Sequence, residues 1–335
     1  MIHILKDAVN PINWIKIIKD PAKFIKIFND RINYYPGLRF GYTKYKIIKK
    51  LYMNFNIFFA KKNKHFKEIF FDTEHNKIKV NTNYNLNRKC NISETQHQSL
   101  KQNGVLVLEN ALTEYEHNNI SKNFNKFKED LSNNTIDEYK NMNLQIIKGS
   151  NLRSSYTINT TLDRESNLKI ISDQITKRIY GQIIKPSQVY GHNKLTNLPD
   201  PPVPGDNTWH SDRYIPNLKL LYFPFGTKEG SPLRYSLGTH KINKEYLNFF
   251  LSKTESNYGE GTIETVIDKK KFLRNTQEFN VLPNTLIATL TNGFHGRTPF
   301  KKSGERCVLY LMYSEFRLSS LISYWKYNRS YKNKL

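Results

Sequence analysis

From residue 183 onward the chain breaks into short β-like runs, at 183–190, 208–212, 219–223, 233–237, 286–290 and 306–313, separated by turns that contain Pro and Gly. Runs of this length cannot bury a face alone. They must pair with strands from distant parts of the chain, which points to packed sheets. Ahead of them, residues 104–108 (Gly-Val-Leu-Val-Leu) read as an apolar strand. Thr113 and Glu116 then form a T-x-x-E capping box, opening a helix whose face is Leu112, Tyr115, Phe124, Phe127 and Leu131. A second helix is predicted over about 165–180, with Leu168, Ile171, Ile175 and Ile179 inward and Gly181 as its stop. A helical lead-in followed by many short strands predicts a mainly β sandwich or barrel with helices packed outside. The 21 Tyr and 20 Phe supply an aromatic core for it.

The first ninety or so residues have a different texture. Ile12, Ile15, Ile18, Phe24, Ile25, Phe28 and Ile32 recur at helical spacing, with Lys16, Lys19, Lys23 and Lys26 between them. Pro21, capped by Asp20, breaks or restarts this helix. A basic-aromatic stretch follows over 42–71, and residues 80–95 are polar and read as a linker. The chain therefore divides into a basic, amphipathic helical extension (1–95), a main domain (96–320) and a basic tail (321–335). The net charge of +23 favours polyanions. Residues 1–90 either pack on the chain's own domain or contact an anionic surface such as membrane or nucleic acid. No phosphate loop, zinc finger or helix-turn-helix signal accompanies that charge. Cys90 and Cys307 are too few and too far apart for a disulfide framework, and Cys307 lies in an apolar run. With no secretory signal or transmembrane stretch in the sequence, the expected location is cytoplasmic.

The chemistry concentrates in Thr208-Trp209-His210-Ser211-Asp212. In a strand, alternate side chains share a face, so His210 and Asp212 can occupy adjacent corners of a metal. One further His completes a facial triad, the arrangement suited to non-haem Fe(II) with open positions for a co-substrate and oxygen. His295, in Asn292-Gly293-Phe294-His295-Gly296, supplies it, at a turn where glycines let the backbone approach the metal. Eleven positions later Arg306 opens a strand with Val308, Tyr310 and Met312 on its face. A buried guanidinium matches a carboxylate bidentately. The dicarboxylate 2-oxoglutarate fits both ends, its keto acid on iron and its far carboxylate on Arg306.

These segments, with Ser231-Pro232-Leu233-Arg234-Tyr235-Ser236-Leu237-Gly238-Thr239-His240, resemble the phytanoyl-CoA dioxygenase family over about residues 100–318. The resemblance implies a double-stranded β-helix (jelly-roll, cupin-like) barrel using Fe(II), 2-oxoglutarate and O2. It implies His210, Asp212 and His295 as metal ligands and Arg306 as the co-substrate arginine. The family often has a small hydroxyl residue two positions after the distal His. Here Arg297 stands there and Thr298 follows, so Thr298 is the expected secondary contact. His192 is a candidate for co-substrate binding or the substrate entrance, with a surface histidine as the alternative. His240 is a motif residue expected outside the metal shell. Retention of Asp212, where related halogenases have a small residue, favours hydroxylation of a small-molecule, lipid or glycan-intermediate substrate. The alternatives are a polyanion-binding protein and an oxygenase acting on a macromolecule held by the N-terminal region.

Overall fold

The computed structural model describes residues 50, 53–54, 57–58, 60–61, 64–71, 83–85, 91–132, 153–159, 166–186, 188–196, 208–212, 214–227, 231–252 and 261–313. Helix α1 (Glu94–Asn103) starts at a full capping box, in which Ser93 and Gln96 each bond the other's backbone N–H. It stops at Gly104, whose φ of 80° suits a residue without Cβ. The predicted Thr113–Glu116 box opens α2 (Glu114–Ser132). Helix α3 (Asn167–Tyr180) ends at Gly181 and buries Leu168, Ile171, Ile175 and Ile179, as the periodicity requires. Two short helices, α4 (Lys244–Ser252) and α5 (Val266–Phe272), follow later in the chain, and a helical turn at Lys64–Phe66 runs into a π-helical one at Lys67–Phe71 ahead of α1.

The strands are β1 (Asn83–Asn85), β2 (Val105–Glu109), β3 (Arg153–Asn159), β4 (Gln188–Thr196), β5 (His210–Ser211), β6 (Leu218–Phe223), β7 (Leu233–Ser236), β8 (Gly261–Thr262), β9 (Thr276–Phe279), β10 (Thr285–Leu290), β11 (His295–Arg297) and β12 (Gly304–Tyr313). Among the described residues they form one sheet in the order β1-β2-β10-β6-β12-β4-β3 and a second in the order β8-β5-β11-β7-β9. All pairings are antiparallel except β1 with β2. Along β5-β6-β7 and again along β10-β11-β12 the chain alternates between the two sheets, which is the winding of a double-stranded β-helix.

Strand alternation gives the larger sheet two buried faces. Val105, Val107, Leu221, Phe223, Ile287 and Val308 meet Leu233, Tyr235 and Phe279 of the smaller sheet inside the barrel. Leu106, Leu108, Leu220, Leu286, Ala288 and Leu311 turn the other way, into a cluster with Leu100, Phe124, Ile171 and Ile175 of the helices. With both faces covered, the central strand β10 is buried at all positions and is mostly apolar, with Thr285 and Thr289 as its buried polar members. The edge strands β8 and β9 carry no such run, and their partly exposed Thr and Gln side chains mark them as edges.

Four readings of the sequence need correction or refinement. Tyr115 is 75% exposed rather than on the helix face. The inward stripe of α2 instead runs through His117, against Tyr222, and Ile120 and Phe124, and Tyr115 lies on the opposite side of the helix. Strand β4 begins at Gln188, after Pro186, and continues through polar residues to Thr196 because β12 pairs with it along nine positions. Part of the polar 80–95 stretch is ordered structure, since β1 pairs with β2 and Ser93 caps α1. In the basic N-terminal region, Met53, Ile57, Phe66, Ile69 and Phe70 are buried in the same core cluster as the helices. Phe66 meets Tyr180 edge-on, and the carbonyl of Phe70 accepts from Ile242 N–H at 2.6 Å. The expected helices over 12–32, the 321–335 tail, Cys90 and the side chains of Phe127 and Leu131 lie outside the described residues. No helix among the described residues is long and apolar enough to cross a membrane. Cys307 is a buried free thiol whose pKa burial pushes up to about 12.

Candidate metal centre

The three expected ligands converge at one end of the barrel. His210 on β5 and His295 on β11 are register partners, so their side chains stand side by side, with ring centroids 4.5 Å apart. Asp212 sits just past β5, held by its N–H on Thr291 O at 3.0 Å. Its Oδ1 faces both rings, 3.6 Å from His210 Nε2 and 3.7 Å from His295 Nε2. His210, Asp212 and His295 are the group of His, Cys, Asp and Glu side chains among the described residues whose donor atoms, all within 4.8 Å of one another, can hold a metal.

The tautomers suit that role. His210 Nδ1 lies 3.0 Å from Thr208 O, and His295 Nδ1 lies 2.9 Å from Gly293 O. A carbonyl only accepts, so each Nδ1 carries a proton and each Nε2 is the nitrogen that faces the shared centre. Burial pushes His295 down to about 3, so its imidazole is neutral at neutral pH. Burial would raise the Asp212 carboxyl, but the Lys219 ammonium beside it is the largest of the effects that oppose burial, and the carboxyl lies well below the usual carboxylate range. Two imidazoles and one ionised carboxylate match the donor set of a 2-His-1-carboxylate site. Donors bound at about 2.1 Å stand roughly 3 Å apart when adjacent, which small side-chain movements achieve from the present spacing.

The segment carrying His295 is laced to its surroundings. Asn292 O accepts from Ser211 Oγ at 2.7 Å and Tyr246 Oη at 2.6 Å, and Asn292 Nδ2 donates to His240 O at 2.7 Å. Phe294 N–H donates to Thr239 Oγ1 at 2.8 Å. His240 is thus structural, as expected. It is fully buried, with Nε2 on Lys101 O at 3.0 Å and its pKa lowered by burial to about 3. The two glycines flanking Phe294-His295 serve close packing rather than approach to a metal. A Cβ on Gly293 would lie 1.8 Å from Tyr235 Oη, and one on Gly296 2.4 Å from Thr208 O.

Arg306 is 4% exposed and Arg297 3% exposed. Arg306 Nε donates to Ser231 O at 2.9 Å and its Nη1 to Tyr310 Oη at 2.7 Å. Among the described residues no carboxylate pairs with Arg306, so a buried cation is left for an anionic ligand. Arg297 shares the alternation of β11 with His295 and donates to Ser231 Oγ at 3.2 Å. Two guanidinium groups therefore meet at Ser231. Thr298, expected as the secondary contact, bonds through its backbone to Pro232 O and accepts from Ser231 Oγ at its carbonyl. Its own Oγ1 is buried with no hydrogen-bond partner among the described residues.

His192 lies on β4 opposite Val308, edge-on to Tyr310 at 6.2 Å, which places it on the barrel's inner face. Tyr190, two residues before it, stacks on Tyr310 at 5.0 Å. Burial raises its phenol; Tyr310 and Asp212 raise it further and Arg306 opposes them, so Tyr190 stands in the fields of both the triad and the arginine. Sequence reasoning missed Tyr190 and Lys219, whose Nζ is 2.6 Å from Asp212 Oδ2. Strand alternation from Leu221 to Lys219 was the available signal for the latter.

Fold and side chains together define a double-stranded β-helix with a three-residue group that could hold a metal at one end and a buried arginine on its inner face. No family model matches the chain, and no curated protein matches it. Solved structures with a similar fold include AviO1 from Streptomyces viridochromogenes Tue57, at 12% identity, 68% of this chain, 96% of that one and a TM-score of 0.44. Another is SnoK, a non-heme alpha ketoglutarate dependent carbocyclase from nogalamycin biosynthesis, at 12% identity, 67% and 85% coverage and a TM-score of 0.42. A third is HygX from Streptomyces hygroscopicus with nickel and 2-oxoglutarate bound, at 13% identity, 67% and 87% coverage and a TM-score of 0.39.

Proposed function

We propose that this chain is a non-haem Fe(II)- and 2-oxoglutarate-dependent dioxygenase that hydroxylates a small-molecule substrate. The observation that carries the reading is the convergence of His210, His295 and an ionised Asp212 on one point, with a buried Arg306 in the same barrel that no carboxylate among the described residues pairs with. His210, Asp212 and His295 would hold iron. Bound there, iron would couple the oxidation of 2-oxoglutarate by O2, giving succinate and carbon dioxide, to substrate hydroxylation.

The chain's own groups have separate tasks. The carbonyls of Thr208 and Gly293 orient the imidazoles. Arg306, steadied by Ser231 O and Tyr310 Oη, receives the far carboxylate of the co-substrate through charge-assisted hydrogen bonds. Arg297 adds a second guanidinium beside it, replacing the small hydroxyl residue of the resembled family. Val107, Leu221, Phe223 and Ile287 close the barrel behind the site and exclude water. Because Asp212 holds the third protein position, hydroxylation is favoured over halogenation. His192 and Tyr190 line the inner face beside Arg306 and are placed to meet substrate or co-substrate.

The test is anaerobic addition of Fe(II) and then 2-oxoglutarate to the purified chain, followed by visible absorption. A charge-transfer band that needs both additions and vanishes in His210→Ala is expected. No band in the wild type, or a band that survives His210→Ala, overturns the proposal.

A further inference from the structure

The two oxygens of Asp212 do different things. Oδ1 is the atom that faces both ligand nitrogens, at 3.6 and 3.7 Å, while Oδ2 lies 2.6 Å from Lys219 Nζ. Both partners of that ion pair are largely enclosed, with side chains 18% and 13% exposed. Lys219 reaches the site from β6 of the opposite sheet, on the inward face that continues through Leu221 and Phe223. In the register it pairs with Thr289 on one side and Met312 on the other. An ammonium in this setting loses much of its hydration, and Oδ2 is the charge that compensates it.

A metal-bound carboxylate can ligate through one oxygen or both. With Oδ2 released, Asp212 can rotate to chelate, and a second oxygen then occupies a position next to the first. An iron site that must accept a bidentate co-substrate and oxygen on three open positions loses one of them. We propose that Lys219 is a positioning residue: by pairing with Oδ2 it restricts Asp212 to one-oxygen ligation and keeps open a position for the co-substrate chelate. This inference rests on the iron and 2-oxoglutarate reading above. It separates metal binding from co-substrate binding, because Oδ1 and the two imidazoles suffice for the first. The ammonium also opposes a divalent cation, so its removal does not weaken the metal.

The experiment uses Co(II) as a spectroscopic substitute in the full-length chain, comparing wild type with Lys219→Met and Lys219→Arg. Co(II) affinity is measured first from the visible ligand-field bands, then 2-oxoglutarate affinity from their change. Lys219→Met is expected to bind Co(II) as tightly as wild type or more so, and 2-oxoglutarate about tenfold more weakly or worse. Lys219→Arg should recover most of that loss. If Lys219→Met does not fold, as judged by its thermal transition, Lys219→Gln carries the same comparison. The proposal is overturned if the neutral variant binds 2-oxoglutarate as the wild type does. It is equally overturned if Co(II) and 2-oxoglutarate affinities fall together, which makes Lys219 part of the metal site's framework. A wild-type Co(II) spectrum that does not respond to 2-oxoglutarate is a different failure, and it removes the co-substrate reading itself.

Discussion

Replacing Gly293 by Ala tests how the metal centre is held, and its cost follows from distances. The added methyl would stand 1.8 Å from Tyr235 Oη, 2.5 Å from Tyr235 Cζ and 3.0 Å from His240 N. Ordinary contact begins at 3.4 Å, so the ring must retreat by more than an ångström. Tyr235 has nowhere to go: it is fully buried and donates to Leu290 O at 2.8 Å. Overpacking costs about 1–3 kcal/mol, and breaking a buried hydrogen bond costs about 1–3 kcal/mol more. The sum of roughly 2–6 kcal/mol corresponds to ~2–4 °C of Tm per kcal/mol in a domain of 150–250 residues. Tyr235 also stacks on His295, at 6.4 Å, and Gly293 O accepts from His295 Nδ1, so metal affinity should fall with stability. Gly238→Ala is the control. That residue has a φ of 79° but its nearest foreign atom is Gln102 O at 3.7 Å, so only the left-handed backbone is penalised, by about 1–2 kcal/mol. Thermal unfolding by circular dichroism, with and without Co(II), measures both effects. If Gly293→Ala melts no lower than Gly238→Ala and binds Co(II) normally, the packing argument is refuted.

Arg306→Leu should weaken 2-oxoglutarate by about 2–5 kcal/mol, the cost of removing one partner of a buried charge pair, while leaving Co(II) affinity nearly unchanged. Titration of the Co(II) spectrum separates the two, and equal losses would indicate misfolding. Co(II) present at about 100 times its Kd should stabilise the chain by about 2.7 kcal/mol in thermal melts, and this gain should disappear in His210→Ala and in His295→Ala. His240 makes a pH prediction. Its buried form protonates only near pH 3, whereas the unfolded imidazole protonates near 6.5. The unfolded state therefore binds the extra proton below pH 6.5, so stability from this group is complete above that pH and is lost as pH falls towards 3, by about 1.4 kcal/mol per unit. Denaturant melts at pH 7 and pH 5 should show the loss, and His240→Gln should make the pH slope shallower by about one proton. An unchanged slope would show that His240 is already free to protonate in the folded chain.

Much of the site was legible because it is local. His210 and Asp212 are two residues apart in an extended segment, and alternation alone brings them to one side. Arg306 was legible because a strand of apolar residues opening on Arg invites an anionic partner. The Thr113–Glu116 box and the Gly181 stop were legible because caps depend on a few neighbouring residues. What failed was also instructive. Tyr115 was placed inward from spacing, but the side a helix buries is set by what packs on it, here Tyr222 reaching His117. The edge strands β8 and β9 and the polar part of β4 escaped because pairing, not hydrophobic pattern, makes them strands.

By itself, then, the sequence determined the helical lead-in, most of the central strands, the donor types of the candidate metal centre and the arginine on the inner face of β12. Each depends on periodicity or on chemistry carried by residues close in the chain. Only the tertiary structure decided that His295 lies register-to-register with His210 across β5 and β11. It alone brought Arg297 and Arg306 to one serine, Tyr190 within the fields of both Asp212 and Arg306, and Lys219 onto the second oxygen of Asp212. Those relations join residues on strands far apart in the chain, some within one sheet and some across the two, and strand pairing is set by the packing of the whole barrel, which no local pattern of residues encodes.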